Sequence, residues 1–593
     1  MFSRSQARHG LIEIIATTTM ILASNHLLES KGKLSARTTA STTTGTTATA
    51  APLGAKGPDW WKHAVFYEIY PRSFMDSNGD GIGDLNGIHS KLDYLANLGV
   101  DAIWITPFYP SPQVDFGYDI SNYENVDPQF GNLKDFDRLA AAAHRRHIRV
   151  IMDMVLNHTS DQNPWFIESR SSRTNPKRDW YIWRDGKNGG PPNNWVSSFG
   201  GSAWTYDKKT GQYYYHYFYA QQPDLNWRNP EVEKAMFGAV RFWLKRGVDG
   251  FRLDALDELF EDPQLRDNPV LPNSVPGEPI HENEIYNRDL PEIHGVLQRL
   301  RDVTNSFNPP VRILIGEIWV NKLRQLAKFY GPHNNEVQLP FNFFFTKVKK
   351  LDAAEFRQEV LDNQRVLGSR WTTYVLSNHD IVRALTRYGD GVHNEQIAKL
   401  LATMLLTLRG SPFIYYGEEI GMVNHDPKTI DEVRDPVGRR FWPKYKGRDG
   451  ERTPMQWTPG LNAGFTTGTP WLRIPASAKT HNVETEFANA SSVLNYYKAL
   501  LRLRRESAAL QNGAFENLGN DPHVFAYRRA VGSQAILIAL NMSGLTQTLS
   551  AEALQTGGKK LRVILNSSSN TQKLITAGSL HLEPYESVML EEQ

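Results

Sequence analysis

The sequence predicts an α/β protein built on a (β/α)₈ TIM barrel, with a small subdomain inserted after the third strand and an antiparallel β-sandwich at the C-terminus. Three observations lead to this fold. Eight short, β-rich apolar runs alternate mostly with amphipathic stretches between residues 65 and 416. The interval 158–228 is rich in Gly, Pro, Asn, Trp and Tyr, and it is too long for a structureless loop. Beyond residue 511, four short strand patterns, at 524–527, 535–540, 561–565 and 587–590, are separated by turn residues.

The eight apolar runs have the length and composition of barrel strands. They cover residues 65–70, 100–105, 149–155, 250–254, 312–317, 337–341, 372–377 and 411–416. The clearest helical pattern precedes the fourth run, where Val232, Met236, Ala239, Val240 and Trp243 recur at helical spacing. Parallel strands joined by helices bring their C-terminal ends to one face of a barrel, and active sites lie on that face.

These patterns predict the domain organisation. Residues 58–157 and 229–511 form the barrel, 158–228 the inserted subdomain and 512–593 the sandwich. Residues 1–57 lie outside these domains and combine an apolar run (11–23) with a Thr/Ala-rich stretch (38–51), as a signal peptide and linker would. We therefore expect export to the periplasm or the medium. A mis-assigned start codon on a cytoplasmic protein is the alternative.

Composition excludes several classes of function. The net charge of +2 gives no reason to expect nucleic acid or an anionic membrane as a partner. The chain has no cysteine, so disulfides, thiol catalysis and thiolate metal sites are excluded. No apolar run is long enough to span a bilayer. The 15 Trp, 24 Tyr and 27 Phe suit the walls of a sugar site, although a large core explains them equally well.

Ionisable residues stand where several predicted strands end. The third run continues into 153–158, the fourth ends on Arg252 and Asp254, the fifth on Glu317 and the seventh on 378–380. Any one of these residues could make a structural hydrogen bond, but all of them together at one barrel mouth favour an active site. Carboxylates from adjacent strands suit the pair of a retaining glycosidase, in which the two groups lie roughly 5 Å apart.

Four of these segments resemble the signature regions of the α-amylase family of retaining glycoside hydrolases. The segments are DMVLNH at 153–158, GFRLD at 250–254, Gly316-Glu317 and Asn378-His379-Asp380. QPDLN at 222–226 resembles a further motif of the oligo-1,6-glucosidase and α-glucosidase branch, and the stretch 165–204 is similar to bacterial α-glucosidases. The resemblance extends from about Trp60 to the C-terminus.

The resemblance implies a catalytic role for each of three carboxylates. Asp254 matches the nucleophile, Glu317 the general acid that later serves as base, and Asp380 the carboxylate that binds the sugar hydroxyls. No cofactor is needed for this catalysis. Arg252 lies on the same face of its strand as Asp254, so its positive charge is expected to keep the nucleophile ionised. Glu317 must instead be protonated at rest.

The resemblance also implies how the substrate is bound. His158 and His379 match hydrogen-bond donors to the glucose in the −1 subsite, and Asp115 and Tyr118 match residues that line that pocket. Arg452 is expected to pair with Asp115 over the O4 hydroxyl of the glucose. Such a pair would close the pocket, so that only the terminal glucose of a chain fits. A loop ion pair without this role is the alternative.

The residue after the nucleophile bears on linkage preference. Isomaltose-preferring relatives usually carry valine there, whereas this chain has Ala255. The small side chain favours maltose and short α-1,4-linked glucosides as substrates.

A metal loop is predicted at residues 76–84, where oxygen-bearing side chains alternate along the chain. The segment resembles the Ca²⁺ or Mg²⁺ loop that follows the first strand in this branch. The implied ligands are Asp76, Asn78, Asp80, Asp84 and the carbonyl of Ile82. The ion would be structural. A polar turn without metal is the alternative.

Two other functions remain open at this level. A transglucosylase or isomerase, such as a trehalose synthase or a sucrose isomerase, shares the −1 residues and differs in how water is kept from the intermediate. Ancillary subunits of amino-acid transporters share the fold without hydrolysing sugars, but they need a membrane anchor. The expected partner is thus a disaccharide or small oligosaccharide. The sequence carries no expectation about oligomeric state.

Overall fold

A computed structural model of the chain describes residues 55–272, 282–555, 557–568, 574–575 and 579–593. The predicted signal peptide and linker lie outside the described residues. All eight predicted barrel strands are present, and we number them 1 to 8. They are Phe66–Ile69, Ala102–Ile105, Arg149–Val155, Gly250–Asp254, Ile313–Gly316, Leu339–Pro340, Thr373–Val375 and Ser411–Tyr415.

The eight strands form one parallel sheet in the order 7-8-1-2-3-4-5-6, which curls into a nearly closed barrel. Strands 6 and 7, at the two ends of that order, are joined through a side chain. The amide of Asn342 donates to Thr373 Oγ1 at 2.9 Å, and this hydroxyl donates to the carbonyl of Pro340 at 3.2 Å. Large rings, among them Trp104, Phe341 and Phe413, fill the interior. The predicted barrel is confirmed.

Helices separate the strands as predicted. The longer ones are Leu85–Ser90 with Leu92–Leu98, Leu133–Arg145, Pro230–Lys245, Glu292–Asn305, Ala353–Leu367, Asn394–Thr407 and Val493–Glu506. The helix before strand 4 begins at Pro230. The side chain of Asn229 caps this helix by accepting a hydrogen bond from the amide of Glu231. It is followed by Gly247 at φ +93°, a left-handed conformation that glycine adopts without strain.

Between strand 3 and that helix lies a small antiparallel sheet with its own core. Its strands are Trp183–Arg184, Trp204–Asp207 and Gln212–Tyr215. Trp195, Trp204 and Tyr217 are among the buried side chains that pack within it. A β-bridge between His158 and Asp224 joins the two ends of the insert at the barrel mouth. This placement brings the insert beside the ends of the barrel strands.

The C-terminal region contains two antiparallel sheets. The larger has six strands: Ala514–Asn517, Val524–Val531, Gln534–Asn541, Ser587–Glu592, Leu561–Asn566 and Leu574–Ile575. The smaller pairs Gln547–Ser550 with Ser579–Leu582. Leu549 and Leu582 of the small sheet pack with Leu537 and Leu590 of the large one, which confirms the predicted sandwich. Across the described part of the chain, no helix combines the length and apolarity needed to cross a membrane.

Candidate active site

Arg252 lies at the centre of the barrel mouth with 1% of its surface exposed. Its Nη1 donates to Asp153 Oδ1 at 2.9 Å and to Asp254 Oδ1 at 2.6 Å. Its Nη2 lies 2.6 Å from Glu317 Oε2. The strand register explains the arrangement, because Arg252 stands opposite Asp153 on strand 3 and Asp254 follows two residues later on the same face. One guanidinium group therefore holds Asp254 and Glu317 beside each other.

The charges around Arg252 do not balance, since three carboxylates surround one guanidinium. Burial is the strongest influence on Asp254 and raises its pKa well above the ordinary value. Arg252 lowers the pKa of Asp254 but is outweighed by burial, Glu317 and Asp153, so the prediction that its charge keeps Asp254 ionised is not confirmed. The cluster is consequently disposed to keep a proton, as acid–base chemistry between two carboxyl groups requires.

Three donors fix the carboxyl group of Glu317. Besides Arg252, the amide of Ala255 donates to Oε2 at 3.1 Å, and the indole N–H of Trp319 donates to Oε1 at 2.9 Å. Ala255 has φ +47° and ψ +49°, the left-handed turn that aims its amide at Glu317. The Trp319 ring stacks on Phe343 at 4.2 Å and is 36% exposed. This ring therefore stands at the open edge of the site, next to the expected acid.

His379 is fully buried between two aromatic rings, Tyr70 and Tyr118. Its Nδ1 lies 2.6 Å from Glu68 Oε1, and its Nε2 lies 2.7 Å from the hydroxyl of Tyr118 and 3.0 Å from Asp380 Oδ2. Burial lowers the pKa of His379, but the two carboxylates outweigh it and raise the pKa to about 9. The histidine is therefore positively charged at neutral pH.

Asp380 is the most exposed of the three expected catalytic carboxylates, with a quarter of its side chain accessible. Its Oδ1 accepts from Arg448 at 3.0 Å and from Arg452 at 2.7 Å. Burial would raise the pKa of Asp380, but His379 and the two arginines hold it well below the ordinary value. Asp380 is thus a permanent anion at the mouth of the site, able to accept sugar hydroxyls.

The predicted pairing of Arg452 with Asp115 is wrong. Asp115 Oδ1 accepts instead from Arg448 Nη2 at 2.8 Å. Arg452 is turned away by its own partners, since its guanidinium donates to the carbonyl of His379 at 2.7 Å and to Asp380. Arg448 points towards Asp115 because its Nε donates a hydrogen bond to Asp435 at 2.9 Å, which fixes the direction of the guanidinium group. Both arginines belong to the site, and Arg448 bridges Asp115 and Asp380.

His158 lies at the junction of strand 3 and the inserted subdomain. Its Nε2 lies 3.1 Å from the side-chain amide of Gln222, which also donates to Asp115 Oδ2 at 3.2 Å. Burial lowers the pKa of His158 to about 3, so this histidine is neutral. Tyr118, whose carbonyl lies 3.2 Å from His158 Nε2, connects it to the His379 side of the site.

The predicted metal loop is closed by its own hydrogen bonds. Both oxygens of Asp76 accept backbone amides of the loop, and one also accepts the Thr466 hydroxyl. Both oxygens of Asp84 accept amide groups as well. Within the described ranges, no three acidic or histidine side chains converge into a metal-binding group. A metal held by Asp76, Asn78, Asp80, Ile82 and Asp84 stays a prediction.

Five further residues reach the site to which the sequence analysis gave no role of their own: Glu68, Asp153, Gln222, Trp319 and Arg448. A signal existed for three of them. Asp153 and Gln222 open segments that were singled out as motifs, and Glu68 is a charged residue inside an apolar strand. Trp319 and Arg448 lie in loops, where no periodicity indicates the direction of a side chain.

The fold and the paired carboxyl groups define a glycoside hydrolase of the barrel class. The family model described as the α-amylase catalytic domain matches residues 68–513. The chain belongs to the α-amylase family.

Individual relatives agree with this assignment. The chain is 45% identical over 496 residues to a probable α-glucosidase of Rhizobium meliloti (strain 1021), covering 82% of this chain and 90% of that protein. It is 40% identical over 518 residues to an oligo-1,6-glucosidase of Parageobacillus thermoglucosidasius, covering 82% and 91%. Among solved structures, an α-glucosyl transfer enzyme matches with a TM-score of 0.83 and 41% identity, covering 91% of this chain and all of that one. The trehalulose synthase of Pseudomonas mesoacidophila MX-45 matches with a TM-score of 0.83 and 37% identity, over 91% and 100% of the two chains.

Proposed function

We propose that this chain is an exo-acting, retaining α-glucosidase that releases glucose from the non-reducing end of maltose and short α-glucosides, with α-1,4 links preferred. The observation that carries the proposal is the contact of Arg252 with both Asp254 and Glu317, at 2.6 Å each. Carboxyls that share neighbouring nitrogens of one guanidinium are close enough for the roughly 5 Å geometry of retaining enzymes.

The chemistry follows from the hydrogen bonds of the pair. Among the described residues, only Oδ1 of Asp254 takes a hydrogen bond, so Oδ2 is available to attack the anomeric carbon. Glu317 transfers a proton to the leaving glycosidic oxygen as the C–O bond breaks, which leaves a glucosyl ester on Asp254. Glu317 then takes a proton from water, the water oxygen displaces Asp254, and the product keeps its α configuration.

Closure of the pocket supports exo action. Asp115, Arg448 and Asp380 form a continuous chain of ion pairs across one side of the mouth. The ring of Phe199, from the inserted subdomain, lies 5.5 Å from the Arg448 guanidinium. A sugar chain extending beyond the O4 hydroxyl would have to displace these groups, so a terminal glucose fits best.

Two measurements test the proposal. NMR of the first product released from maltose should show α-glucose, and β-glucose would refute the retaining mechanism. Asp254→Asn should lower kcat by roughly 10³-fold or more, because removal of a nucleophile leaves only residual catalysis. Asp93→Asn, an exposed carboxylate far from the site, serves as the control. Activity of Asp254→Asn equal to this control would overturn the assignment.

Transfer of glucose to an acceptor sugar is the second candidate. It is favoured by the two solved structures that match with a TM-score of 0.83, an α-glucosyl transfer enzyme and a trehalulose synthase. Product analysis on sucrose and maltose separates the two activities. Glucose with fructose, or glucose alone, means hydrolysis, whereas isomeric disaccharides or longer oligomers mean transfer.

A structural Ca²⁺ or Mg²⁺ in the loop of residues 76–84 is the remaining part of the proposal. Its support is an all-oxygen donor set at alternate positions, which is the set these hard cations prefer. Binding requires the carboxylates of Asp76 and Asp84 to exchange amide partners for the ion. Titration calorimetry of the chelator-treated protein with Ca²⁺ should show one site, and Asp80→Asn should weaken it. Absence of binding heat together with an unchanged melting temperature in chelator would refute the site.

A further inference from the structure

Glu68 is a buried carboxylate on strand 1 that the proposed reaction does not use. It is 1% exposed and stands opposite Trp104 of strand 2 and Tyr415 of strand 8. Its Oε1 lies 2.6 Å from His379 Nδ1 and 3.3 Å from the backbone amide of His379. The carboxylate therefore approaches His379 from inside the barrel, on the side away from Asp380.

The hydrogen-bond partners of His379 indicate which ring nitrogens carry hydrogen. The Tyr118 hydroxyl donates to Asp153 Oδ2 at 3.1 Å, an arrangement in which it accepts from His379 Nε2 at 2.7 Å. Asp380 Oδ2, 3.0 Å from the same nitrogen, is also only an acceptor. Nδ1 faces a carboxylate oxygen of Glu68, which accepts as well. This set of partners favours a hydrogen on both ring nitrogens, as in an imidazolium.

We propose that Glu68 is a positioning residue that holds His379 as an imidazolium, so that the site keeps a permanent donor and a positive charge beside Asp380 up to alkaline pH. The inference rests on the proposed function insofar as Asp380 and His379 contact the substrate. It makes Glu68 a determinant of the upper pH limit of activity, although Glu68 lies behind His379 and does not contact the sugar.

The other groups that face His379 are consistent with a cation there. Rings of Tyr70 at 5.8 Å and Tyr118 at 5.4 Å stack on its two sides, and electron-rich faces favour a positive charge. Trp104 meets it edge-on at 6.0 Å. Arg452 binds only its backbone carbonyl. The nearby anions are Glu68, Asp380 and, through Tyr118, Asp153, whose own partner is Arg252.

The pKa values agree with this placement of the proton. Burial lowers the pKa of His379, but Asp380 and Glu68 raise it to about 9. Burial raises the pKa of Glu68, and its hydrogen bond and charge interaction with His379 work against that rise. A raised histidine pKa gives an interaction that is complete below the ordinary value of about 6.5 and is lost as the pH rises through the folded-state value.

The variant Glu68→Gln tests the proposal because it keeps an acceptor for Nδ1 and removes the charge. The substrate is α-glucosyl fluoride, whose leaving group depends little on the acid Glu317. The alkaline limb of kcat/KM should move down by about one pH unit, as for loss of a carboxylate next to a titrating group. Glu419→Gln is the matched control, since Glu419 is equally buried but accepts from Tyr67 and Tyr94. The proposal would be overturned if Glu68→Gln had the same alkaline limb as the wild type and Glu419→Gln.

NMR of the ¹⁵N-histidine-labelled protein gives a readout that needs no activity. The His379 resonances are assigned by their loss in His379→Asn. In the wild type at pH 8, both ring nitrogens should have imidazolium shifts, and a neutral ring would overturn the proposal even if Glu68→Gln did not fold. A wild type without activity on any α-glucoside would refute the proposed function alone. The NMR result would still decide the role of Glu68.

Discussion

Which arginine pairs with Asp115 can be decided by double-mutant cycles. Arg448 contacts Asp115 at 2.8 Å, Asp380 at 3.0 Å and Asp435 at 2.9 Å, whereas Arg452 contacts Asp380 but not Asp115. We expect Asp115→Asn to cost about 1.5–3 kcal/mol in transition-state binding, the range for one hydrogen bond to a charged group. Arg448→Met should weaken transition-state binding more than Asp115→Asn, and it should lower the free energy of unfolding by about 3–5 kcal/mol, because it leaves buried carboxylates without their cation.

The cycle is measured as kcat/KM on maltose for the wild type, the single variants and the double variant, each value converted to a free energy. Asp115→Asn and Arg448→Met should be non-additive by about 1–3 kcal/mol, as for residues in direct contact. The matched cycle of Asp115→Asn with Arg452→Met should show a smaller coupling, because these two residues are linked only through Arg448 and Asp380. A larger coupling to Arg452 than to Arg448 would refute the ion-pair assignment, and unchanged kinetics of Asp115→Asn would refute the closed pocket.

Three further predictions concern the acid, the linkage and the pH dependence. Trp319→Phe keeps a ring on Phe343 but removes the N–H that Glu317 accepts. The kcat on maltose should therefore fall roughly 10-fold, since the carboxyl group loses a hydrogen bond that orients it, and an unchanged kcat would contradict this role. Ala255→Val should raise the ratio of isomaltose to maltose hydrolysis. It should also lower the free energy of unfolding by about 1–3 kcal/mol, because a β-branched residue is strained at φ +47°. Ala255→Gly is the control without that strain, and an unchanged linkage ratio would remove Ala255 as the selector. The depressed pKa of Asp380 gives stability that is complete above about pH 3.9 and is lost as the pH falls towards the folded-state value. The melting temperature of Asp380→Asn should accordingly fall less steeply than that of the wild type between pH 5 and 3, and parallel curves would contradict the assignment.

The inferred role of Glu68 links this pH dependence to the architecture of the barrel. Strand 1 contributes no residue to the paired carboxyls, yet it supplies the charge beneath His379. The contact between His379 and Asp380 stabilises the imidazolium and also lowers the pKa of Asp380. Both effects should therefore weaken together in Glu68→Gln.

The strands and the residues at their ends could be predicted from local pattern. Asp254 stands at the mouth because it ends an apolar run whose side chains alternate between two faces, and Arg252 shares its face for the same reason. The four sandwich strands richest in apolar residues were found likewise. Four other short strands, among them Ala514–Asn517 and Gln547–Ser550, were missed because they contain too few apolar residues to show a period.

By itself, then, the sequence determined the barrel, the C-terminal sandwich and the carboxylates at the strand ends. Only the tertiary structure decided their partners. Arg448 and Arg452 lie four positions apart in one loop, and either could reach Asp115 until Asp435 and the carbonyl of His379 fix their directions. Glu68 and His379 are 311 positions apart and meet only because the barrel closes. Periodicity records which face of an element is buried, but the contacts between distant segments depend on how the loops pack, and no local pattern carries that information.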